Sequence, residues 1–109
     1  MRYSAVRWLH PGQDFPVLLL SEHDDAGWEQ RKVDVYQDGR VGFADAQEAH
    51  ETQLACVRIP GLDDVAKEMA FDPTVLTREE FEHFWARRKS GGSDYWKSVL
   101  RTHAKPSGP

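Results

Sequence analysis

The chain has a single cysteine in 109 residues, Cys56, so no internal disulfide can staple it and a reducing compartment is expected. Cys56 sits in an apolar run without a neighbouring histidine or charge cluster, which predicts an inert buried thiol. Long apolar runs are missing as well. Nowhere do about eighteen apolar residues follow one another, and Arg2 is not followed by an apolar run of signal-peptide length, so neither a spanning helix nor a secretory leader is expected. Positive charge is in deficit: 14 Lys and Arg stand against 18 Asp and Glu, a formal net charge of -4, with both signs interspersed. That balance suits a soluble, cytoplasmic protein and provides no general attraction for phosphate. A Gly-rich phosphate loop, a Ser-centred elbow, a Cys and His zinc pattern and internal repeats are all absent, so no catalytic residue, cofactor or metal site is assigned from a motif.

What the chain does have is a strong hairpin signal over residues 31–43, with apolar residues alternating on both sides of Asp38 and Gly39. A two-residue turn would set Val35 opposite Gly42 and Asp34 opposite Phe43. A three-residue loop over 37–39 instead pairs Val35 with Val41 and Val33 with Phe43. Because a one-residue slip exchanges the faces of a strand, the all-apolar pairing is expected, with Gly39 left-handed in a G1 bulge. Residues 3–10 alternate, Val6 and Trp8 on one face and Tyr3, Ala5 and Arg7 on the other, as in a half-buried strand. Val17, Leu18, Leu19 and Leu20 form a short apolar run bounded by turn residues, which fits a central strand covered on both faces. Residues 21–27 have the length of a hairpin loop, residues 45–52 read as a surface loop, and residues 53–59 as a fifth strand.

From Leu62 the apolar period changes to that of a helix: Leu62, Val65, Ala66 and Met69 share one stripe that stops before Asp72 and Pro73. A second helix starts at Thr77, which forms a capping box with Glu80, while Leu76 and Phe81 form a hydrophobic staple. Its acidic first turn and its basic end at Arg87, Arg88 and Lys89 both match the helix dipole. Phe81, Phe84 and Trp85 share a face with Arg88 and are expected on the sheet. A break at residues 90–93 precedes a short amphipathic segment with Trp96, Val99, Leu100 and His103 at helical spacing, then a disordered tail. An isolated helix this short is marginal in water, so it docks either on the body or on another chain, for which Trp96, Val99 and Leu100 would be the anchors.

These features predict an α+β domain over residues 1–89: a five-stranded, mainly antiparallel meander with two C-terminal helices packed on one face, followed over 90–109 by a linker, a short extra amphipathic helix and the tail. The segments Val-Arg-Trp-Leu-His (6–10), Arg-Lys-Val-Asp-Val-Tyr-Gln-Asp-Gly-Arg (31–40) and Glu-Glu-Phe-Glu-His-Phe-Trp (79–85) give the chain a resemblance to an uncharacterised family of small bacterial single-domain proteins, a domain of unknown function. The resemblance runs from about Tyr3 to Ala86 and implies a stand-alone bacterial cytoplasmic protein; it brings no catalytic residues with it.

Two constellations are candidates for function. If Val6, Val33, Val35, Val41 and Val57 face inward, then Tyr3, Arg7, Lys32, Tyr36, Arg40 and Arg58 share the opposite sheet face, a mixture suited to a protein partner or to stacking single-stranded nucleic acid. The bland reading is a solvated face whose cations pair with Asp34 and nearby Glu residues. His10, His23, Asp24 and Asp25, with Arg31, could line a small-ligand or enzyme site, yet adjacent His and Asp on one loop cannot close a metal sphere, and Asp in tight loops usually bonds its own backbone. The expected function is therefore a non-enzymatic protein-binding module of immunity or regulatory type, with small-ligand binding or weak nucleic-acid binding as the alternatives.

Overall fold

Gly39 closes the central hairpin at φ 87°, the conformation that favours glycine. Tyr36 N–H donates to Arg40 O and Gly39 N–H to Tyr36 O, both at 2.9 Å. The pairing that follows is Val35 with Val41 and Val33 with Phe43, the three-residue register. In this computed structural model, which describes residues 1–9, 14–56, 58, 61–67 and 70–103, that hairpin supplies the second and third strands from one edge of a six-stranded sheet. The strands are β1 (Arg2–Trp8), β2 (Leu18–His23), β3 (Glu29–Val35), β4 (Val41–Ala44), β5 (Ala49–His50) and β6 (Phe71–Val75). Their order is β5-β4-β3-β2-β1-β6, every neighbour antiparallel.

Six strands replace the five expected, and the difference lies in the middle of the chain. The expected loop at 45–52 contains the two-residue strand β5, and Phe71, Asp72 and Pro73 open an edge strand instead of only ending a helix. Pro73 is tolerated there because an edge strand leaves one row of N–H groups outside the ladder. The described part of 53–59 does not join the sheet; it crosses over one face, for the reason given below. Val57 and Ile59 lie outside the described residues, as do His10 and Met69. The first short helix, α1 (Leu62–Ala66), is present, but it lies on the sheet face of Val6 and Leu19 and not on the face that carries Phe81 and Phe84, so the two helices expected on one face lie on opposite faces. Cys56 is exposed, not buried.

The N-terminus of α2 (Arg78–Ala86) is capped as its sequence requires: Thr77 Oγ1 accepts from Glu80 N–H at 3.1 Å and Glu80 Oε1 accepts from Thr77 N–H at 2.9 Å. Phe81 and Phe84 are buried against Tyr3, Leu18, Leu20, Val33, Val35 and Phe43. Helix α3 (Ser93–His103) packs into the same core: Trp96 is 1% exposed, Val99 is buried, and Leu100 lies against the cluster. The amphipathic segment thus docks on its own body, so the anchors proposed for another chain are used internally.

Candidate ligand-binding cleft

Because successive strand residues point to opposite faces, the register of β1, β2 and β3 sorts their side chains completely. Ala5, Leu20 and Val33 lie in one row and Arg7, Leu18 and Val35 in the next, all on the side of α2 and α3. The opposite side receives Ser4, Val6, Leu19, Ser21, Lys32 and Asp34. Glu29 joins them through the register shift at Glu22 and His23. This second face therefore carries two carboxylates and an ammonium on one strand, with Glu29 and Asp34 both buried. Buried charge survives only when paired and hydrogen-bonded.

Residues 52–55 provide the pairing. After β5 the chain turns at Glu51, a non-glycine residue at φ 56°, and runs back across the face as a strap. Thr52 Oγ1 donates to Asp34 Oδ2 at 2.8 Å. Lys32 Nζ donates to the Gln53 carbonyl at 3.1 Å, and Ala55 N–H donates to Glu29 Oε1 at 2.8 Å. Glu29 Oε2 accepts from Ser21 Oγ at 3.1 Å, and Lys32 Nζ sits 3.7 Å from both carboxylates. The strap's backbone is thus satisfied by β3 side chains in place of a ladder, which is why the expected fifth strand does not form. Gly42 lets it come close: a Cβ there would meet the carbonyl oxygens of His50 at 3.0 Å and Glu51 at 3.1 Å.

Between this strap, α1 and β6 lies a cleft of about 430 Å³. Val6, Leu19, Ala55, Leu62, Val65 and Phe71 form its apolar lining, and Ser21, Glu29, Lys32 and Asp34 its polar floor, with Asp64 on the α1 side. Glu29 has both carboxylate oxygens occupied. Asp34 does not: its Oδ1 is buried with no hydrogen-bond partner among the described residues. Burial pushes the Asp34 carboxyl above its usual value, against the pull of Lys32 and the Thr52 hydrogen bond.

The helical face pairs its charge differently. Glu22 accepts two hydrogen bonds from Arg31, each 2.7 Å, and Arg31 also lies 2.6 Å from Glu82 and over the Phe81 and Trp85 rings at 5.0 and 5.2 Å. Those bonds hold the Glu22 carboxyl below its usual range despite burial.

The residues singled out from the sequence scatter. Tyr3 and Arg7 belong to the helical face, because they share rows with Glu22 and Leu18; Tyr3 is buried with its ring 5.4 Å from Phe81. Only Lys32 of the six reaches the floor of the opposite face. Tyr36 and Arg40 stack on each other at the hairpin end, 4.3 Å apart, and Arg58 lies 5.8 Å from the Trp28 ring. Val6, expected inward, lines the cleft instead. Asp24 Oδ1 accepts from the N–H groups of Ala26 and Trp28, the ordinary work of a turn aspartate, and Asp25 is exposed 3.8 Å from Arg2. His23 is buried, and neither ring nitrogen has a partner among the described residues. Arg31 is on the other side of the sheet, so no His and Asp site is assembled from the described members of that set.

Asp34 was missed as a site residue. The alternation of Lys32 and Asp34 with Val33 and Val35 was the available signal, since it puts both charges on one face. Residues 2–90 match a family model described as a domain of unknown function (DUF6881). No curated protein and no solved structure matches the chain. Among the described residues no helix is long and apolar enough to cross a membrane.

Proposed function

The chain belongs to this family of unknown function, and we propose that it is a small-ligand-binding protein whose site is the cleft between the second sheet face, the 52–55 strap and α1. The observation that carries the reading is the cleft: about 430 Å³ of apolar-walled space over a few convergent polar groups. That size and that mixture are typical of small-molecule pockets. The sequence favoured a protein-binding module, but the features behind that expectation are now spread over both faces or buried under α3. Nucleic-acid binding loses its face in the same way. The lone cysteine fits a protein of the bacterial cytoplasm.

The test is a titration of ¹⁵N-labelled protein with aromatic fragments of indole size, read by amide chemical shifts. Binding at about 1 mM or tighter, with perturbations gathered at Leu19, Ser21, Lys32, Ala55 and Leu62, is the expected outcome. Val65→Trp, which fills the cleft from α1, is expected to abolish them. Shifts spread over the whole surface, or unchanged by Val65→Trp, would count against the cleft as the site.

A further inference from the structure

We infer that the ligand carries a primary ammonium group that docks on Asp34 with its apolar body against α1 and β6. This rests on the cleft being a ligand site and adds the chemical class of what enters it.

The floor has an unbalanced charge. Lys32 serves both Glu29 and Asp34, 3.7 Å from each, and Asp64 adds a third carboxylate from α1, itself 3.6 Å from the exposed Lys67. Three carboxylates and one ammonium line the cleft, so an anionic ligand is repelled and a cationic one attracted. Lys32 offers an anion little, since it is already held by the Gln53 carbonyl and two carboxylates.

The acceptors are specific in number as well as in sign. Both Glu29 oxygens are taken, by Ala55 N–H and by Ser21 Oγ. Asp34 Oδ2 is taken by Thr52, leaving Oδ1, shielded from solvent on a residue only 4% exposed, as the carboxylate oxygen without a partner among the described residues. One free carboxylate oxygen suits the three rotatable donors of an ammonium. It does not suit a planar guanidinium, which needs both oxygens for its paired hydrogen bonds. The Ser21 hydroxyl, whose proton goes to Glu29, keeps oxygen lone pairs that can accept from a ligand donor. The apolar walls require the rest of the molecule to be hydrocarbon or aromatic. An arylalkylamine meets each of these conditions.

The groups around Asp34 make the binding pH-dependent. Glu29 and Lys32 flank it on β3, Thr52 faces it from the strap, Asp64 closes the α1 side, and the Tyr36 hydroxyl feels its charge. A cation bound at Oδ1 needs the carboxylate form, so acid competes with the ligand.

Three probes that share a phenethyl body decide the matter on the intact protein: phenethylamine, 2-phenylethanol and 3-phenylpropionate, titrated by amide shifts. Phenethylamine is expected to bind at least about tenfold tighter than the alcohol, the difference between a charged and a neutral hydrogen bond, with the carboxylate weakest. Asp34→Asn is expected to bring amine and alcohol to equal affinity. If that variant does not fold, the wild-type pH series stands in its place: amine affinity falls as pH is lowered into the carboxyl range while alcohol affinity stays level. Equal wild-type affinities for amine and alcohol overturn the ammonium assignment and leave the cleft standing. Tightest binding of the carboxylate overturns it in favour of Lys32 as anchor. If no probe moves the cleft amides, the ligand reading itself fails and this inference goes with it.

Discussion

The helical face of the sheet meets Phe81, Phe84 and Trp96, and there Arg31 donates two hydrogen bonds to Glu22, lies 2.6 Å from Glu82 and covers the Phe81 ring. The opposite face meets a strap and a five-residue helix, buries Glu29 and Asp34, and keeps about 430 Å³ of space above them. A protein interior is ordinarily packed to the density of an organic crystal. One face follows that rule and the other departs from it, with the same β3 backbone serving both. Stability is therefore concentrated on one side, and the other is free to hold charge that binding can use.

The comparison is broken most directly by removing a large piece of the packed face. Trp96→Ala is expected to destabilise by about 3–5 kcal/mol, because a side chain 1% exposed would leave a cavity where α3 meets Phe84. Urea unfolding checks it; a loss under about 1 kcal/mol would mean that α3 is not part of the cooperative core. Gly39→Ala comes next, at about 2 kcal/mol. The left-handed conformation strains any side chain, and a Cβ would stand 2.5 Å from the Ser93 backbone carbonyl oxygen, forcing the hairpin and α3 apart.

Glu22→Gln tests the Arg31 ion cluster and is expected to cost about 2 kcal/mol near neutral pH, by weakening a paired hydrogen bond in a partly buried site. Its pH dependence has a definite sign. A carboxyl held low in the folded state contributes stability that is fully present above its ordinary unfolded value and is lost as pH falls through the folded one. The wild type and the variant are therefore expected to converge in acid, and a gap that is constant with pH would remove Arg31 as the cause.

How much of this was legible depended on whether the signal was local. The hairpin register, the Thr77 capping box and the stripe of Phe81, Phe84 and Trp85 were each determined by residues within a few positions of one another, and each is found as expected. The side to which Tyr3 points was not local. β1 alternates cleanly, so its two faces were known, but which one turns inward depended on pairing with β2, where Tyr3 meets Glu22 and Ala5 meets Leu20. The strap over 52–55 was illegible for a deeper reason. Its alternation matched a strand, yet its hydrogen bonds end on the side chains of Glu29, Lys32 and Asp34, about twenty residues earlier in the chain. No window of neighbouring residues contains that information. The cleft depends on the strap and on α1, so it was hidden for the same reason.

The smallest expected effect is the one that separates the two faces most clearly. Asp34→Asn removes a buried carboxylate whose Oδ1 has no partner among the described residues, while keeping an acceptor for Thr52, so stability at neutral pH is expected to change by no more than about 1 kcal/mol. Its pH dependence runs opposite to that of Glu22. Burial raises the folded-state value of Asp34, so the carboxylate destabilises the native state fully above that raised value, and the penalty is relieved as pH falls through it toward the ordinary aspartate value. Lowering the pH from neutral is thus expected to stabilise the wild type relative to Asp34→Asn, whereas the same change erodes the advantage of the wild type over Glu22→Gln. Parallel denaturation series on both variants measure the two slopes. Slopes of the same sign would mean that the second face satisfies its charge as fully as the first, and would leave Asp34 with no capacity to receive a ligand.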